Sequence, residues 1–233
     1  MPQQGQIIAM GGGGFLMEPD NPLLDQYVLE ATGKARPRVC FVPTAAGDAV
    51  SYIERFYEAF PEDVCEPTYL SLFNRRIDDL AAFLRGQDLV YVSGGNTVNL
   101  LAVWRAQGMD RAAAEALEAG TIFCGLSAGA LCWFERGITD SYSPDLKPLM
   151  NGLGFLPGAF SPHYDSDWRR PAEFGAFVDQ HGGPAWAAED GVALHFRDGA
   201  LVRVVSSRQH ARAYRIEPGN RPEVIQPEYL GDS

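Results

Sequence analysis

The chain has 233 residues, of which 46% are apolar and 21% are charged, and its formal net charge is −11. These values are typical of a globular chain and predict a single domain, residues 1–233, with a substantial apolar core. The negative charge argues against nucleic acid or an anionic membrane surface as a partner.

Neither a targeting segment nor a redox motif is evident. Residues 1–5 lack a basic region followed by an apolar stretch, and no apolar run approaches 18 residues. We therefore expect a soluble, cytoplasmic protein that acts as a monomer or homodimer. The four cysteines have no C-x-x-C spacing and are expected to be buried free thiols: Cys40, Cys65, Cys124 and Cys132.

Strands and helices alternate through the first 135 residues. Predicted strands cover Gln6–Met10, Arg38–Val42, 68–73, 88–92 and 121–124, and predicted helices lie near 22–32, 52–57, 80–84, 99–106 and 110–119. This alternation predicts an α/β fold with a doubly wound, mostly parallel sheet flanked by helices. In such sheets, ligands bind outside the carboxyl ends of the strands.

Three unusual loops follow predicted strands, at residues 11–14, 43–48 and 93–97. The first is a run of four glycines, but it does not fit the G-x-G-x-x-G spacing of a dinucleotide site. We interpret it as a glycine-lined loop and expect neither a cofactor nor a metal. Because all three loops follow strands, they are predicted to converge at one edge of the sheet.

The stretch 121–134 carries the strongest chemical signal. An apolar strand runs into Gly125-Leu-Ser-Ala-Gly129, and an apolar helix is expected to begin near Ala130. A serine on a tight turn between strand and helix is the pattern of a nucleophile elbow, which exposes the hydroxyl beside the first N–H groups of the helix. Ser127 is therefore the candidate nucleophile.

The pattern changes after Glu135. Gly, Pro, Ser and Asp are frequent through residue 171, which predicts a loop-rich segment, followed by a helix near 174–180. Alternating apolar residues at 192–196 and 201–205, joined by a turn, and then 213–216, predict antiparallel strands at the edge of the same sheet.

A nucleophilic serine needs a base, and the base needs an orienting acid. Of the four histidines, His163 lies in a polar loop after a presumed strand, whereas His181, His195 and His210 fit structural or surface positions. For the acid, Asp165 is too close in sequence to His163, Asp140 is possible, and the pair Glu189 and Asp190 before Gly191 is better placed.

Five motifs in this order resemble peptidase family S51, the family of peptidase E and cyanophycinase: Phe41-Val-Pro-Thr-Ala45, Ser93-Gly-Gly-Asn-Thr97, Gly125-Leu-Ser-Ala-Gly129, Ser161-Pro-His-Tyr-Asp165 and Glu189-Asp-Gly191. The resemblance covers nearly all of residues 5–216 and implies a fold like that of class I glutamine amidotransferases. It places the nucleophile on Ser127 and the base on His163. The family acid is commonly a glutamate directly before the glycine; here Asp190 holds that place, so Asp190 is preferred and Glu189 is the alternative.

The resemblance also implies a backbone oxyanion hole at Gly95 and Ala128, next to Asn96 as a substrate-binding residue. It implies cleavage of short peptides, with dipeptides carrying an N-terminal aspartate as the leading substrate. A cation must then face the substrate carboxylate, and the best candidates are Arg169 and Arg170. Three alternatives stay open: a cyanophycinase-like peptidase acting on β-Asp-Arg, an esterase using Ser127, Asp190 and either His195 or His210, and a non-catalytic binding protein on the same scaffold.

Overall fold

The computed structural model describes residues 5–232. Fourteen strands are numbered here in chain order: β1 (Gln6–Met10), β2 (Arg38–Val42), β3 (Glu66–Tyr69), β4 (Leu89–Val92), β5 (Ile122–Leu126), β6 (Phe134–Thr139), β7 (Lys147–Leu149), β8 (Leu156–Ser161), β9 (Ala185–Ala188), β10 (Val192–Arg197), β11 (Ala200–Ser206), β12 (Ala213–Ile216), β13 (Glu223–Ile225) and β14 (Glu228–Tyr229). The α-helices are α1 (Leu23–Glu30), α2 (Val50–Ala59), α3 (Leu80–Arg85), α4 (Thr97–Gln107), α5 (Met109–Glu118), α6 (Ala128–Leu131) and α7 (Arg170–His181).

The main sheet has eight strands in the order β14-β11-β10-β1-β5-β4-β2-β3. The five strands from β1 to β3 in that order pair in parallel, whereas β10 joins β1 antiparallel and β11 pairs antiparallel with β10. The predicted α/β class, with a mostly parallel sheet and antiparallel strands near one edge, is confirmed.

Helices cover both faces of this sheet because its central strands are apolar on both sides. Alternate residues of β1 belong to two separate apolar clusters, Ile7 and Ala9 to one and Ile8 and Met10 to the other. The helices divide in the same way: α1 and α2 supply Leu24, Val28 and Phe56 to the second cluster, while α3, α4 and α5 supply Leu84, Trp104 and Met109 to the first. This arrangement is the predicted double winding.

A second sheet of six strands, in the order β13-β12-β9-β8-β6-β7, corrects two predictions. The segment predicted to be loop-rich, 135–171, contains β6, β7 and β8, whose short strands carry glycine and proline at positions such as Pro148 and Gly158. The strand predicted at 213–216 forms as β12 but pairs with β9 in this second sheet, rather than at the edge of the main sheet.

Two boundaries also differ from the prediction. The third strand ends at Tyr69 rather than Phe73, and the helix after Ser127 is a single turn, Ala128–Leu131, so that Phe134 already begins β6. All four cysteines are free and buried, as predicted. Among residues 5–232, no helix combines the length and apolar character needed to cross a membrane.

Candidate active site

Ser127 occupies a sharp turn between β5 and α6. Its backbone has φ 54° and ψ −112°, a region that a residue with a side chain adopts only when its surroundings enforce it. Neighbouring glycines permit the turn, since a Cβ on Gly129 would lie 2.8 Å from the carbonyl oxygen of Ser93. The carbonyl of Ser127 accepts hydrogen bonds from Ala130 and Leu131, and the serine side chain stays partly exposed.

The glycine loop after β1 gathers the segments of the site. Three consecutive carbonyls accept hydrogen bonds from three distant backbone N–H groups: Met10 from Ser127 at 3.1 Å, Gly11 from His163 at 3.2 Å and Gly12 from Gly191 at 3.0 Å. Residues 10–12 thus hold the serine, the histidine and the acidic loop beside one another. The sequence indicated a glycine-lined loop here, but no pattern in it predicted these three partners.

His163 and Asp190 form a tight pair. The His163 Nδ1 lies 2.6 Å from Asp190 Oδ1, and Asp190 is buried. Burial by itself raises the pKa of Asp190, but the hydrogen bond and charge of His163 outweigh it and hold that pKa below its usual value. An ionised Asp190 accepts the Nδ1 proton, which leaves His163 Nε2 free to accept a proton from a hydroxyl.

Asp165 fixes the backbone of Asp190, because its Oδ1 accepts a hydrogen bond from the backbone N–H of Asp190 at 2.9 Å. His163 itself has φ 52°, a second strained residue at the site. Gly12 passes so close that a Cβ there would overlap Asp190 Oδ1 and lie 3.1 Å from His163 Cε1. The site therefore requires glycine at residue 12.

Glu189, the alternative acid, faces away from His163. Its Oε1 accepts from the Tyr214 hydroxyl at 2.6 Å and its Oε2 from the backbone N–H of Arg212 at 2.8 Å. Both of its oxygens are thus tied to the β12 end of the second sheet. The geometry favours Asp190 as the partner of His163.

Two backbone N–H groups are available beside Ser127. Neither Gly95 nor Ala128 donates its N–H to an acceptor within residues 5–232. Ala128 begins α6, where the first N–H groups have no partner inside the helix. Gly95 has φ 138° and packs against the Ala45 carbonyl, and neighbouring Gly94 lies against Ser127. These are the two donors predicted for an oxyanion.

Asn96, which was predicted to bind substrate, makes two hydrogen bonds within the protein. Its Oδ1 caps α4 by accepting from the backbone N–H of Asn99 at 2.8 Å, and its Nδ2 donates to the Ser141 carbonyl at 2.9 Å. The side chain fixes the loop that carries Gly95.

The two arginines predicted to bind substrate, Arg169 and Arg170, differ in their burial and in their hydrogen-bond partners. Arg169 binds Asp167 through Nε at 3.0 Å and Nη2 at 2.9 Å, and it also donates to the Pro144 carbonyl. Arg170 is only 4% exposed, and its Nε and Nη1 have no hydrogen-bond acceptor within the described chain. Its nearest ion-pair contact, to Asp167, is 4.0 Å long. Burial lowers the pKa of Arg170 by more than the charges of nearby carboxylates, Asp140 foremost, raise it.

The remaining histidines are not placed to serve Ser127. His195 lies between the Tyr27 hydroxyl, 2.7 Å from Nδ1, and Gln6 Oε1, 3.0 Å from Nε2, and burial lowers its pKa to about 4. His181 ends α7 and His210 is exposed in a turn. With Asp190 engaged by His163, the serine–acid–histidine order of the esterase alternative has no support in this geometry.

Comparisons with known proteins agree with this architecture. The model of Peptidase family S51 matches residues 7–204. An uncharacterized peptidase, YgaJ, of Bacillus subtilis (strain 168) is 50% identical over 212 residues, which cover 91% of each chain. Peptidase E of Streptomyces coelicolor (strain ATCC BAA-471 / A3(2) / M145) is 26% identical over 175 residues, 75% of this chain and 70% of the relative.

A solved structure extends the agreement to the fold. The crystal structure of a peptidase from an acI-B1 Actinobacterium superimposes with a TM-score of 0.74 at 16% identity, covering 97% of this chain and 96% of that one. The family match includes Ser127, His163 and Asp190 and ends before β12. The chain therefore belongs to peptidase family S51 and is a peptidase.

Proposed function

We propose that the protein is a serine exopeptidase that hydrolyses short peptides, foremost dipeptides with an N-terminal aspartate. Ser127 is the nucleophile, His163 the general base and Asp190 the acid that orients the imidazole. The assignment is supported by the 2.6 Å contact between His163 and Asp190 and by the loop 10–12 that holds Ser127 beside them.

The chemistry follows from these positions. His163 Nε2 takes the proton of the Ser127 hydroxyl as Oγ attacks the carbonyl carbon of the scissile bond. The N–H groups of Gly95 and Ala128 stabilise the oxyanion that develops. The imidazolium then gives its proton to the departing amine, and water attacks the acyl-serine with His163 again acting as base.

Arg170 is the main support for proposing substrates with an N-terminal aspartate. A buried guanidinium with free donors is costly unless an anion pairs with it, and a substrate carboxylate supplies that anion. The requirement is stronger in a chain of net charge −11, whose overall field repels acidic substrates. The relative named Peptidase E is consistent with this substrate class.

The test is kcat/KM on a panel of Asp-X, Glu-X, Ala-X and β-Asp-Arg dipeptides. Replacing Arg170 by Met is expected to lower kcat/KM for Asp-X by about 10² or more and to leave Ala-X nearly unchanged. Arg169→Met is the matched control, because Arg169 is already paired with Asp167, and it should change both substrates little.

The panel also separates the alternatives. Equal loss on Asp-X and Ala-X in Arg170→Met, with an unchanged melting temperature, contradicts the role of Arg170 in specificity. Preference for β-Asp-Arg over every α-linked dipeptide would replace the aspartyl dipeptidase by the cyanophycinase-like peptidase. Hydrolysis of simple esters with no peptide turnover would favour the esterase.

A further inference from the structure

Arg208 packs against the loop that carries Asp190. It lies shortly after β11, and its aliphatic stem covers Gly191: a Cβ placed on Gly191 would lie 2.7 Å from Arg208 Cγ and 2.9 Å from its Cδ. Gly191 has φ 81°, a left-handed conformation that favours glycine. The Arg208 side chain therefore rests on the residue that directly follows the orienting acid.

Glu18 holds Arg208 in this place. The Glu18 Oε1 accepts from Arg208 Nε at 2.6 Å, and its Oε2 accepts from the Ser207 hydroxyl at 2.9 Å. The backbone N–H of Glu18 donates to the Gly14 carbonyl at 2.8 Å. The ion pair thus joins the end of the glycine loop after β1 to the segment after β11.

Backbone hydrogen bonds connect both of these segments to the loop of Asp190. The Ser207 N–H donates to the Gly191 carbonyl at 2.8 Å, and the Gly191 N–H donates to the Gly12 carbonyl at 3.0 Å. The loop of Asp190 is therefore held between two segments that the ion pair ties together.

Arg208 also acts on Asp190 through its charge. Burial raises the pKa of Asp190, whereas His163 and, more weakly, Arg208 lower it. Burial lowers the pKa of Arg208 in turn, but the carboxylates of Glu18, Asp190 and Asp165 raise it above its ordinary value. The contacts and the charges thus link the same two residues.

Arg208 is one of two arginines that face Asp190. Among the described residues, the charged groups around Asp190 are His163, Asp165, Arg170 and Arg208. Arg170 is proposed to pair with the substrate carboxylate, so its charge is neutralised when the substrate binds. Arg208 is paired within the protein and stays next to Asp190 throughout the reaction.

We propose that Arg208, held by Glu18, is a positioning residue that keeps Asp190 ionised and in place. The inference rests on the proposed function, because it takes Asp190 as the orienting acid. It adds to the triad an ion pair that lies outside all five sequence motifs. A cation near the His163–Asp190 pair opposes the uptake of a further proton, so the pair can accept the serine proton at lower pH.

The test is the pH dependence of kcat/KM for Arg208→Met, on the dipeptide of the panel that the wild-type protein cleaves fastest. The acid limb is the pH at which kcat/KM falls to half on the acid side. Loss of the cation makes the pair easier to protonate, so the acid limb should rise by roughly 0.5 pH unit. The substrate titrates identically with both proteins, so a displacement belongs to the protein. At the pH optimum, kcat should fall by about tenfold, less than the roughly 10² for a 1 Å misplacement, because Asp190 keeps its bond to His163.

Three further variants separate charge from packing. Arg208→Gln keeps a donor for Glu18 without the charge, and its acid limb should rise as in Arg208→Met. Arg208→Lys keeps the charge and should restore the wild-type acid limb. Arg203→Met is the matched control, because it removes an Arg–Glu pair of the same 2.6 Å length, to Glu228, from β11 itself; its acid limb and kcat should match the wild type.

A double-mutant cycle tests whether Arg208 acts through Asp190. In the Asp190→Asn background the ionised acid is absent, so Arg208→Met should lower kcat by less than about twofold there, against about tenfold in the wild-type background. A merely structural role gives the same loss in both backgrounds.

Two outcomes would overturn the inference. One is an acid limb that stays at the wild-type pH in both Arg208→Met and Arg208→Gln. The other is an equal loss in kcat with and without Asp190. Full activity of Asp190→Asn alone would overturn the proposed triad and the inference with it, and this failure is distinct because it involves no change at Arg208.

Discussion

Gly12→Ala tests the assembly of the site without altering a chemical group. The new methyl carbon would overlap Asp190 Oδ1 and lie 2.9 Å from Asp190 Cγ and 3.1 Å from His163 Cε1. Since non-bonded carbon atoms settle at about 3.5–4.0 Å, the Asp190 carboxylate must move by roughly 0.6 Å or more. The 2.6 Å hydrogen bond to His163 cannot survive that shift in its present geometry.

The expected loss in kcat lies between two limits. Misplacing a catalytic group by about 1 Å costs about 10²-fold, and losing the orienting role of the triad acid costs about 10⁴-fold. We therefore expect Gly12→Ala to lower kcat for Asp-Leu by about 10² to 10⁴. This loss corresponds to a rise of about 3 to 5 kcal/mol in the activation free energy. Labelling of Ser127 by a fluorophosphonate reagent should slow in parallel, because the same histidine activates the serine.

The control is Gly175→Ala, a helical position in α7 where a Cβ meets nothing within 4 Å. This change should keep full activity and slightly raise the melting temperature, since alanine favours a helix over glycine. The reasoning is refuted if Gly12→Ala folds and retains more than about a tenth of the wild-type kcat. The reasoning is also refuted if activity falls only in proportion to the amount of folded protein.

Five residues give the remaining predictions. Ser127→Ala and His163→Ala should each reduce kcat by about 10⁴ to 10⁶, and the double variant should be no worse than either, because the groups act as one unit; steady-state kinetics with the double variant checks this. Asp190→Asn should lower kcat by about 10³ to 10⁴ and Glu189→Gln by far less, and the reverse ranking would move the acid by one residue. Burial raises the pKa of Asp25 from 3.8 to about 7, so its folded form holds a proton that the unfolded chain releases. The free energy of unfolding should therefore fall by up to about 4 kcal/mol as pH rises from about 4 to 7 and then level off, and Asp25→Asn should remove this slope in urea titrations at pH 5 and 8.

Much of the main sheet was predictable because its elements are encoded locally. The strands ending at Met10, Val42 and Val92 are continuous apolar runs, and each is followed by a loop at the carboxyl edge. The turn at Ser127 was predictable for the same reason, since small residues around a serine between strand and helix permit little else.

The second sheet was not predictable in this way. Its strands are short and interrupted by residues such as Gly137, Pro148 and Gly158, which in sequence indicate loops. Gly137 and Gly158 are there because neighbouring backbone passes close: a Cβ on either would overlap the carbonyl oxygen of Phe160 or of Pro184. The reason for each glycine lies in a distant segment of the chain, so the local sequence pattern does not show it.

By itself, the sequence determined the α/β class, the nucleophile elbow at Ser127 and a few candidates for the base and the acid that assist this serine. The tertiary structure decided between adjacent carboxylates, turning Asp190 to His163 and Glu189 to Tyr214. It also paired Arg169 while leaving Arg170 buried with free donors. Neighbours in sequence diverge in this way because side-chain direction depends on which strands pair, and pairing is set by contacts between residues far apart in the chain.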